Sequence, residues 1–259
     1  MRVLKSKYTL PEAQYQPVVY LSDGAFVSVG ERGRVMIFNA DGTLRSQQNL
    51  VGPPYKTPSV VAANDIIYIS GETKHVYALN SDGSTLWHFS DTNGAKILAG
   101  MAIGPDGTVY FADDRGVVYA LNGSNGQKLW QFVAIGAGPV LAALKVGPDG
   151  TLYFASEKGF VYALGPDGRQ KWLYKTNLQV LLSPILDQSG LVYVVSTEGK
   201  KVFALEQASG VLRFSFSANS KIIALPVVGA DGSLYIPAED RSLYALNPGG
   251  SQRFVFRPS

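Results

Sequence analysis

Thr108-Val109-Tyr110-Phe111-Ala112-Asp113-Asp114-Arg115-Gly116-Val117-Val118-Tyr119-Ala120-Leu121-Asn122-Gly123-Ser124-Asn125-Gly126-Gln127-Lys128-Leu129-Trp130 is the stretch that decides the fold of this chain. Three runs rich in β-branched and aromatic residues alternate with breaks of Gly, Asp and Asn. That is the signal of short antiparallel strands joined by tight turns. Met101-Ala102-Ile103 and the turn Gly104-Pro105-Asp106-Gly107 lie just ahead, so the unit reads as four strands. No amphipathic 3.6-residue pattern is sustained for three turns anywhere in the chain, and no helix is expected.

The same unit recurs on both sides. Tyr119-Ala120-Leu121 reappears as Tyr77-Ala78-Leu79, Tyr162-Ala163-Leu164, Phe203-Ala204-Leu205 and Tyr244-Ala245-Leu246, with aromatic residues 42, 43, 41 and 41 positions apart. Met36-Ile37-Phe38 is a weakened copy in the first repeat. A second aromatic series, Phe26, Tyr68, Tyr110, Tyr153, Tyr193 and Tyr235, reads as one position on the second strands. The turns repeat as well, with Asp106-Gly107, Asp149-Gly150 and Asp231-Gly232 among those joining first to second strands. Glycine tolerates the positive φ of such turns, and Asp closes them through its side chain. A calcium loop, the other use of Asp-Gly pairs, needs several spaced oxygen ligands, which these turns lack.

A period near 42 that fills the chain means a repeat architecture. The register gives six repeats, spanning about 16–49, 57–90, 99–133, 142–175, 182–217 and 224–257. A lone four-stranded sheet cannot bury both faces. The expected fold is therefore all-β, a six-bladed β-propeller of four-stranded antiparallel blades whose array closes, forming one domain over 1–259. Residues 1–15 are expected to be an N-terminal extension, with 2–9 as a clasp strand beside the last blade. If adjoining repeats lie outside this chain, six is a lower bound.

Composition agrees and narrows the function classes. Of 259 residues, 46% are hydrophobic and 17% charged, ample for a core and opposed to disorder. The net charge of +3, from 23 basic and 20 acidic residues, gives no reason to expect nucleic acid. With no cysteine, disulfides, thiolate chemistry and Cys-ligated metal are excluded. Met1-Arg2-Val3-Leu4-Lys5 begins basic, but no apolar stretch follows as in a signal peptide. Nor does any stretch approach the ~20 apolar residues of a membrane span.

The repeat Gly-x-Val-Tyr-Ala-Leu-Asn, then a turn Gly, then Trp, resembles that of PQQ-like (quinoprotein-type) β-propellers. Thr108–Trp130 carries it most fully, Thr151–Trp172 and Ile66–Trp87 follow, and the fifth and sixth repeats place Phe214 and Phe254 near the Trp position. The resemblance covers nearly the whole chain and implies the propeller fold. It implies less about activity. The family includes PQQ-dependent alcohol and sugar dehydrogenases, usually with more blades, which bind calcium through Glu, Asn and Asp and use an Asp base. Many of the alcohol dehydrogenases also carry a vicinal Cys–Cys disulfide. It also includes cofactor-free members related to an outer-membrane assembly lipoprotein, which act as protein-binding scaffolds. No cysteine and no Glu/Asn/Asp set distinct from the turn acids is found here, so the closer resemblance is to the cofactor-free members. Their setting implies a periplasmic or extracytoplasmic location.

Most memorable residues recur because each blade needs them. Trp87, Trp130 and Trp172 share one position on the outermost strand and read as blade-docking residues, since three peripheral copies cannot stack on one ligand. His75 and His88, the only histidines, have no apparent partner histidine and read as surface or edge residues. Acid–base pairs such as Asp114-Arg115, Glu157-Lys158 and Asp240-Arg241 occupy every central turn and read as solvated charges.

The positions free of the period are the inter-blade loops, and loops on rigid scaffolds carry function. Five positions before a first strand stand Lys96, Gln179 and Lys221, where other blades have Glu12, Pro53 and Pro139. Lys96 and Lys221 sit three blades apart in similar contexts. With Lys56, they are candidates for an anion-attracting channel mouth, expected to converge on the axis. Ile97-Leu98, Ile135, Val140-Leu141, Val180-Leu181-Leu182 and Ile222-Ile223 in the same loops supply a rival: most are expected to line the packed centre, and any left exposed would form a protein-binding patch.

The expected function is that of a non-catalytic scaffold engaging a protein or a small polar or anionic ligand through the face of the inter-blade loops. It is expected to be monomeric, with no cofactor, metal site or nucleic-acid partner. The alternative is a PQQ- and calcium-dependent oxidoreductase of alcohols or sugars. A carbohydrate-acting propeller lacks the paired carboxylates it would need.

Overall fold

A computed structural model describes residues 18–52, 60–61, 63–91 and 94–258. Lys56, Glu12, Pro53 and the expected N-terminal extension with its clasp strand lie outside them. Twenty-four strands form six four-stranded antiparallel sheets, and no helix occurs among the described residues. The first sheet comprises β1 (Val19–Tyr20), β2 (Phe26–Val29), β3 (Arg34–Phe38) and β4 (Leu44–Asn49). The second comprises β5 (Val60–Val61), β6 (Ile67–Ser70), β7 (His75–Leu79) and β8 (Thr85–Ser90), and the third β9 (Ala102–Ile103), β10 (Val109–Ala112), β11 (Val117–Leu121) and β12 (Lys128–Val133). The fourth comprises β13 (Lys145–Val146), β14 (Leu152–Ala155), β15 (Phe160–Leu164) and β16 (Gln170–Lys175). The fifth holds β17 (Ile185–Leu186), β18 (Leu191–Ser196), β19 (Lys201–Glu206) and β20 (Leu212–Ser217). The sixth holds β21 (Val227–Val228), β22 (Leu234–Pro237), β23 (Leu243–Leu246) and β24 (Gln252–Phe256).

Strands within each sheet pair in sequence order, as hairpin-sized turns dictate. First strands are only two residues long, shorter than the sequence suggests. The third and fourth strands meet with a bulge after the central Ala, at Ala163/Leu164, Ala204/Leu205 and Ala245/Leu246. One sequence register needs correction. Phe26 pairs with Phe38, as Leu152 pairs with Leu164, so Phe26 lies one position off the Tyr series and on the opposite face. Val27 stands where the other sheets have Tyr. A one-residue shift on a strand reverses the face, and the near-42 spacing concealed it.

The chain divides into two compact units, one of Met1–Asp114 with Tyr119–Trp130 and one of Arg115–Val118 with Gln131–Ser259. Within each, a sheet packs one face on its successor. In the first unit, Val27, Val29, Val35 and Ile37 of the first sheet meet Ile67, Ile69, Tyr77 and Leu79 of the second. In the second unit, Tyr153, Ala155, Val161, Ala163 and Trp172 of the fourth sheet meet Val192, Val194, Phe203 and Leu205 of the fifth. Tyr193, Val195, Val202 and Ala204 of the fifth meet Leu234, Ile236, Tyr244 and Leu246 of the sixth. Burial of both faces explains why second and third strands are almost wholly apolar.

The outer strands add a specific lock. Trp87 and Trp172 are 8% and 7% exposed. Each indole donates from Nε1 to a backbone carbonyl of the next sheet, Gly123 at 2.7 Å and Gln207 at 2.8 Å. The hydroxyls of Tyr68 and Tyr153 donate to those same two carbonyls. Each indole also lies over a turn glycine: a Cβ on Gly126 or Gly210 would approach the ring to 2.7 or 2.6 Å. Gly250 meets the Phe214 ring in the same way.

Candidate functional site

The loops between sheets are fixed by their backbones. In the first unit the Lys96 carbonyl accepts from the Asp114 N–H at 2.8 Å, and the Ile97 N–H donates back to Thr73. In the second unit the Pro139 and Lys221 carbonyls accept from the N–H groups of Glu157 and Glu239, and the Val180 N–H donates to the Glu157 carbonyl. Each loop thus threads between central turns of consecutive sheets, and Ile97 and Ile222 form single bridges to Asp113 and Ala238. Loops and central turns occupy the same end of the sheets, as the hairpin connections require.

This threading decides which loop side chains face water. Ile97, Val140, Val180 and Ile222 are buried. In the second unit, Ile135 is 85%, Leu181 41%, Ile223 59% and Leu225 39% exposed. Ile223 stays in this position because its N–H is bonded to the Pro237 carbonyl. The sequence marked these loops as apolar, but only the alternation imposed by the bridges separates packing residues from presented ones.

The polar candidates resolve differently. Lys221 is bound to Glu198 at 2.9 Å, and that hydrogen bond, reinforced by the Glu198 charge, raises its pKa. Gln179 donates from Nε2 to the Glu157 carboxylate at 3.1 Å. Lys96 is exposed, and its backbone N–H donates to the Asp114 carboxylate. Each of these three residues therefore sits beside an acid of a central turn. Lys96 belongs to the first unit, and Gln179 and Lys221 to the second. Trp130 lies half-buried, 5.7 Å from the Tyr110 ring.

Two residues depart from their sequence reading. His75 Nδ1 and His88 Nε2 lie 2.9 Å apart, so each histidine has the other as a partner. The β7–β8 register aligns Tyr77 with His88 and His75 with Ser90, which places the two rings diagonally on one face. His88 also stacks on Tyr77, with centroids 4.3 Å apart. The thirteen-residue separation conceals a contact that a hairpin register reveals. Desolvation lowers the pKa of both histidines, and the His88 and Lys74 charges lower that of His75 further.

Asp113, read as a turn acid, is 1% exposed and accepts from the Tyr119 hydroxyl at 3.3 Å. Sheets four and five have Ser156 and Ser196 at this position, and no sequence signal sets it apart. The Asp-Gly turns use their carboxylates internally. Asp106, Asp149 and Asp231 each accept from the backbone N–H and hydroxyl of the residue two positions on. The Thr151 hydroxyl, with Lys171 assisting, holds Asp149 down at about 2. Among the described residues no group of three or more His, Cys, Asp or Glu side chains is placed to hold a metal ion.

No curated protein sequence matches the chain. Its fold is similar to that in the crystal structure of BamB from Moraxella catarrhalis, with a TM-score of 0.78 and 18% identity, covering 97% of this chain and 79% of that one. The six four-stranded sheets are thus the blades of a β-propeller. A family model described as outer membrane protein assembly factor BamB matches residues 9–138, half of the chain. By that match the chain belongs to the PQQ_2 family of PQQ-like β-propellers.

Proposed function

We propose that this chain is a non-catalytic scaffold that binds a protein partner through the end bearing its inter-blade loops. The observation that carries this reading is the set Ile135, Leu181, Ile223 and Leu225, exposed on loops whose backbones are already hydrogen-bonded. Apolar side chains held out by rigid backbone bury area on binding without an ordering cost for the loop. The neighbouring polar side chains are occupied, Lys221 by an ion pair with Glu198 and Gln179 by a hydrogen bond to Glu157, which favours an apolar protein contact over capture of a small anion. Family membership supports both the scaffold role and an extracytoplasmic setting. A role in outer-membrane protein assembly is the natural specific form of this reading. The quinoprotein reading has no observation in its favour.

The test is affinity capture from a cell-envelope extract of the source organism, comparing the native chain with Ile135→Asp/Leu181→Asp/Ile223→Asp. Proteins retained by the native chain and lost with the folded variant support the proposal. Identical capture by both would refute it. Incubation with PQQ and Ca²⁺ in the same preparation should leave dye-linked oxidation of alcohols and sugars at background.

A further inference from the structure

The interface between the fifth and sixth blades lacks the lock that closes two others. Between the second and third blades, the Trp87 indole and the Tyr68 hydroxyl both donate to the Gly123 carbonyl. Between the fourth and fifth, the Trp172 indole and the Tyr153 hydroxyl both donate to that of Gln207. In the sixth blade this carbonyl belongs to Pro248, which like Gly123 and Gln207 stands two residues after the third-strand Leu. Both donors are missing. Phe214 pairs with Ala204 as Trp172 pairs with Ala163, but carries no N–H. Tyr193, in the place of Tyr153, donates instead to Asp187 Oδ2 at 3.1 Å. The cause is a changed turn: Asp187-Gln188-Ser189-Gly190 puts its carboxylate two positions earlier than Gly147-Pro148-Asp149-Gly150. There it also accepts from the Ser189 hydroxyl and the Leu191 N–H. Among the described residues no hydrogen bond reaches the Pro248 carbonyl.

Space opens at the same place. Phe214 covers Gly250 as Trp172 covers Gly210, but it lacks the part of an indole that bears Nε1. A cleft of about 810 Å³ lies beside it, lined by Phe214, Gln207, Ser189, Arg213, Glu206 and Pro248 among others. That volume falls within the range of small-ligand sites. Arg213 and Glu206 are paired with each other at 3.1 Å, so the cleft offers a ring face and a carbonyl acceptor rather than an open charge. We propose that it binds a neutral planar heteroaromatic ring with an N–H donor, of which indole is the type. The ring lies against Phe214, and its N–H bonds the Pro248 carbonyl. The chain itself supplies the pattern, since indoles occupy the matching places over Gly126 and Gly210 and donate to the matching carbonyls. The turns that join first to second and third to fourth strands line this cleft. It therefore lies at the end of the blades away from the inter-blade loops, and the proposal does not rest on the loop-end partner.

The probes are indole, N-acetyltryptophanamide and the ring-N-methylated form of each, titrated into the isotope-labelled native chain. Binding should shift the backbone amide resonances of Phe214 and Gly249. Methylation should weaken it by about fivefold to tenfold through loss of the donor. Equal affinity of the methylated forms, or no binding up to the solubility of the probes, would overturn the proposal, and both readings use the native protein. Phe214→Trp fills the cleft from within and should abolish binding at a nearly unchanged thermal midpoint. Phe214→Leu removes the ring face and should weaken binding severalfold. Undiminished binding by either folded variant would place the site elsewhere and refute the proposal. Tighter binding of N-acetyltryptophanamide than of indole assigns the site to a tryptophan of a peptide, and the reverse order to a free heteroaromatic compound.

Discussion

Trp172 shows how a single residue joins two blades: its indole buries apolar area over Gly210 and satisfies the Gln207 carbonyl with Nε1. Trp172→Phe should cost about 1–2 kcal/mol, because a part-buried carbonyl loses its shorter hydrogen bond. Trp172→Ala should cost about 3–5 kcal/mol, since a cavity is added. Urea unfolding, with midpoint shifts at unchanged slope, measures both. The fifth blade already carries Phe214 at this position, and a pocket of about 810 Å³ opens beside it, lined by Phe214, Arg213, Gln207 and Pro248 among others. Phe214→Trp should therefore be accommodated with little loss of stability.

At the scale of an element, turn glycines and hairpin pairs differ in what they demand. Gly190 and Gly210 both have positive φ, +89° and +71°, but a Cβ meets nothing within 4 Å at Gly190 and the Trp172 ring at 2.6 Å at Gly210. Gly190→Ala should cost only the left-handed backbone term, about 1–2 kcal/mol. Gly210→Ala should cost a further ~1–3 kcal/mol from the clash, read as a larger fall in thermal midpoint. The β7–β8 hairpin should respond to pH. His75 and His88 both titrate below their usual 6.5, chiefly through desolvation, so the unfolded chain binds protons that the folded chain refuses. Their contribution is complete above pH 6.5 and is lost as pH falls through the lowered values. Stability should decline as pH falls below 6.5, and His75→Gln with His88→Gln should flatten that decline. An unchanged pH profile in the double variant would show that other groups cause it.

For the molecule as a whole, partner binding of the proposed kind, through exposed apolar loop residues beside the Lys221–Glu198 ion pair, should depend weakly on ionic strength. Raising salt from about 0.05 to 0.5 M should change the dissociation constant by less than roughly threefold, where a lysine-steered anion site would lose far more. The six-repeat all-β architecture and its four strands per blade were legible in the sequence. A 42-residue period is imposed by packing that every blade must satisfy, so it is written in side-chain type. Less legible were features that depend on register or on which side of a backbone a residue falls: the displacement of Phe26, the His75–His88 contact, and the burial of Asp113. The sequence by itself determined that blades of this kind form, because alternating apolar strands and positive-φ turns admit little else. The tertiary structure alone decided which of the loop side chains remain uncovered, because exposure depends on what packs opposite a residue rather than on the residue itself.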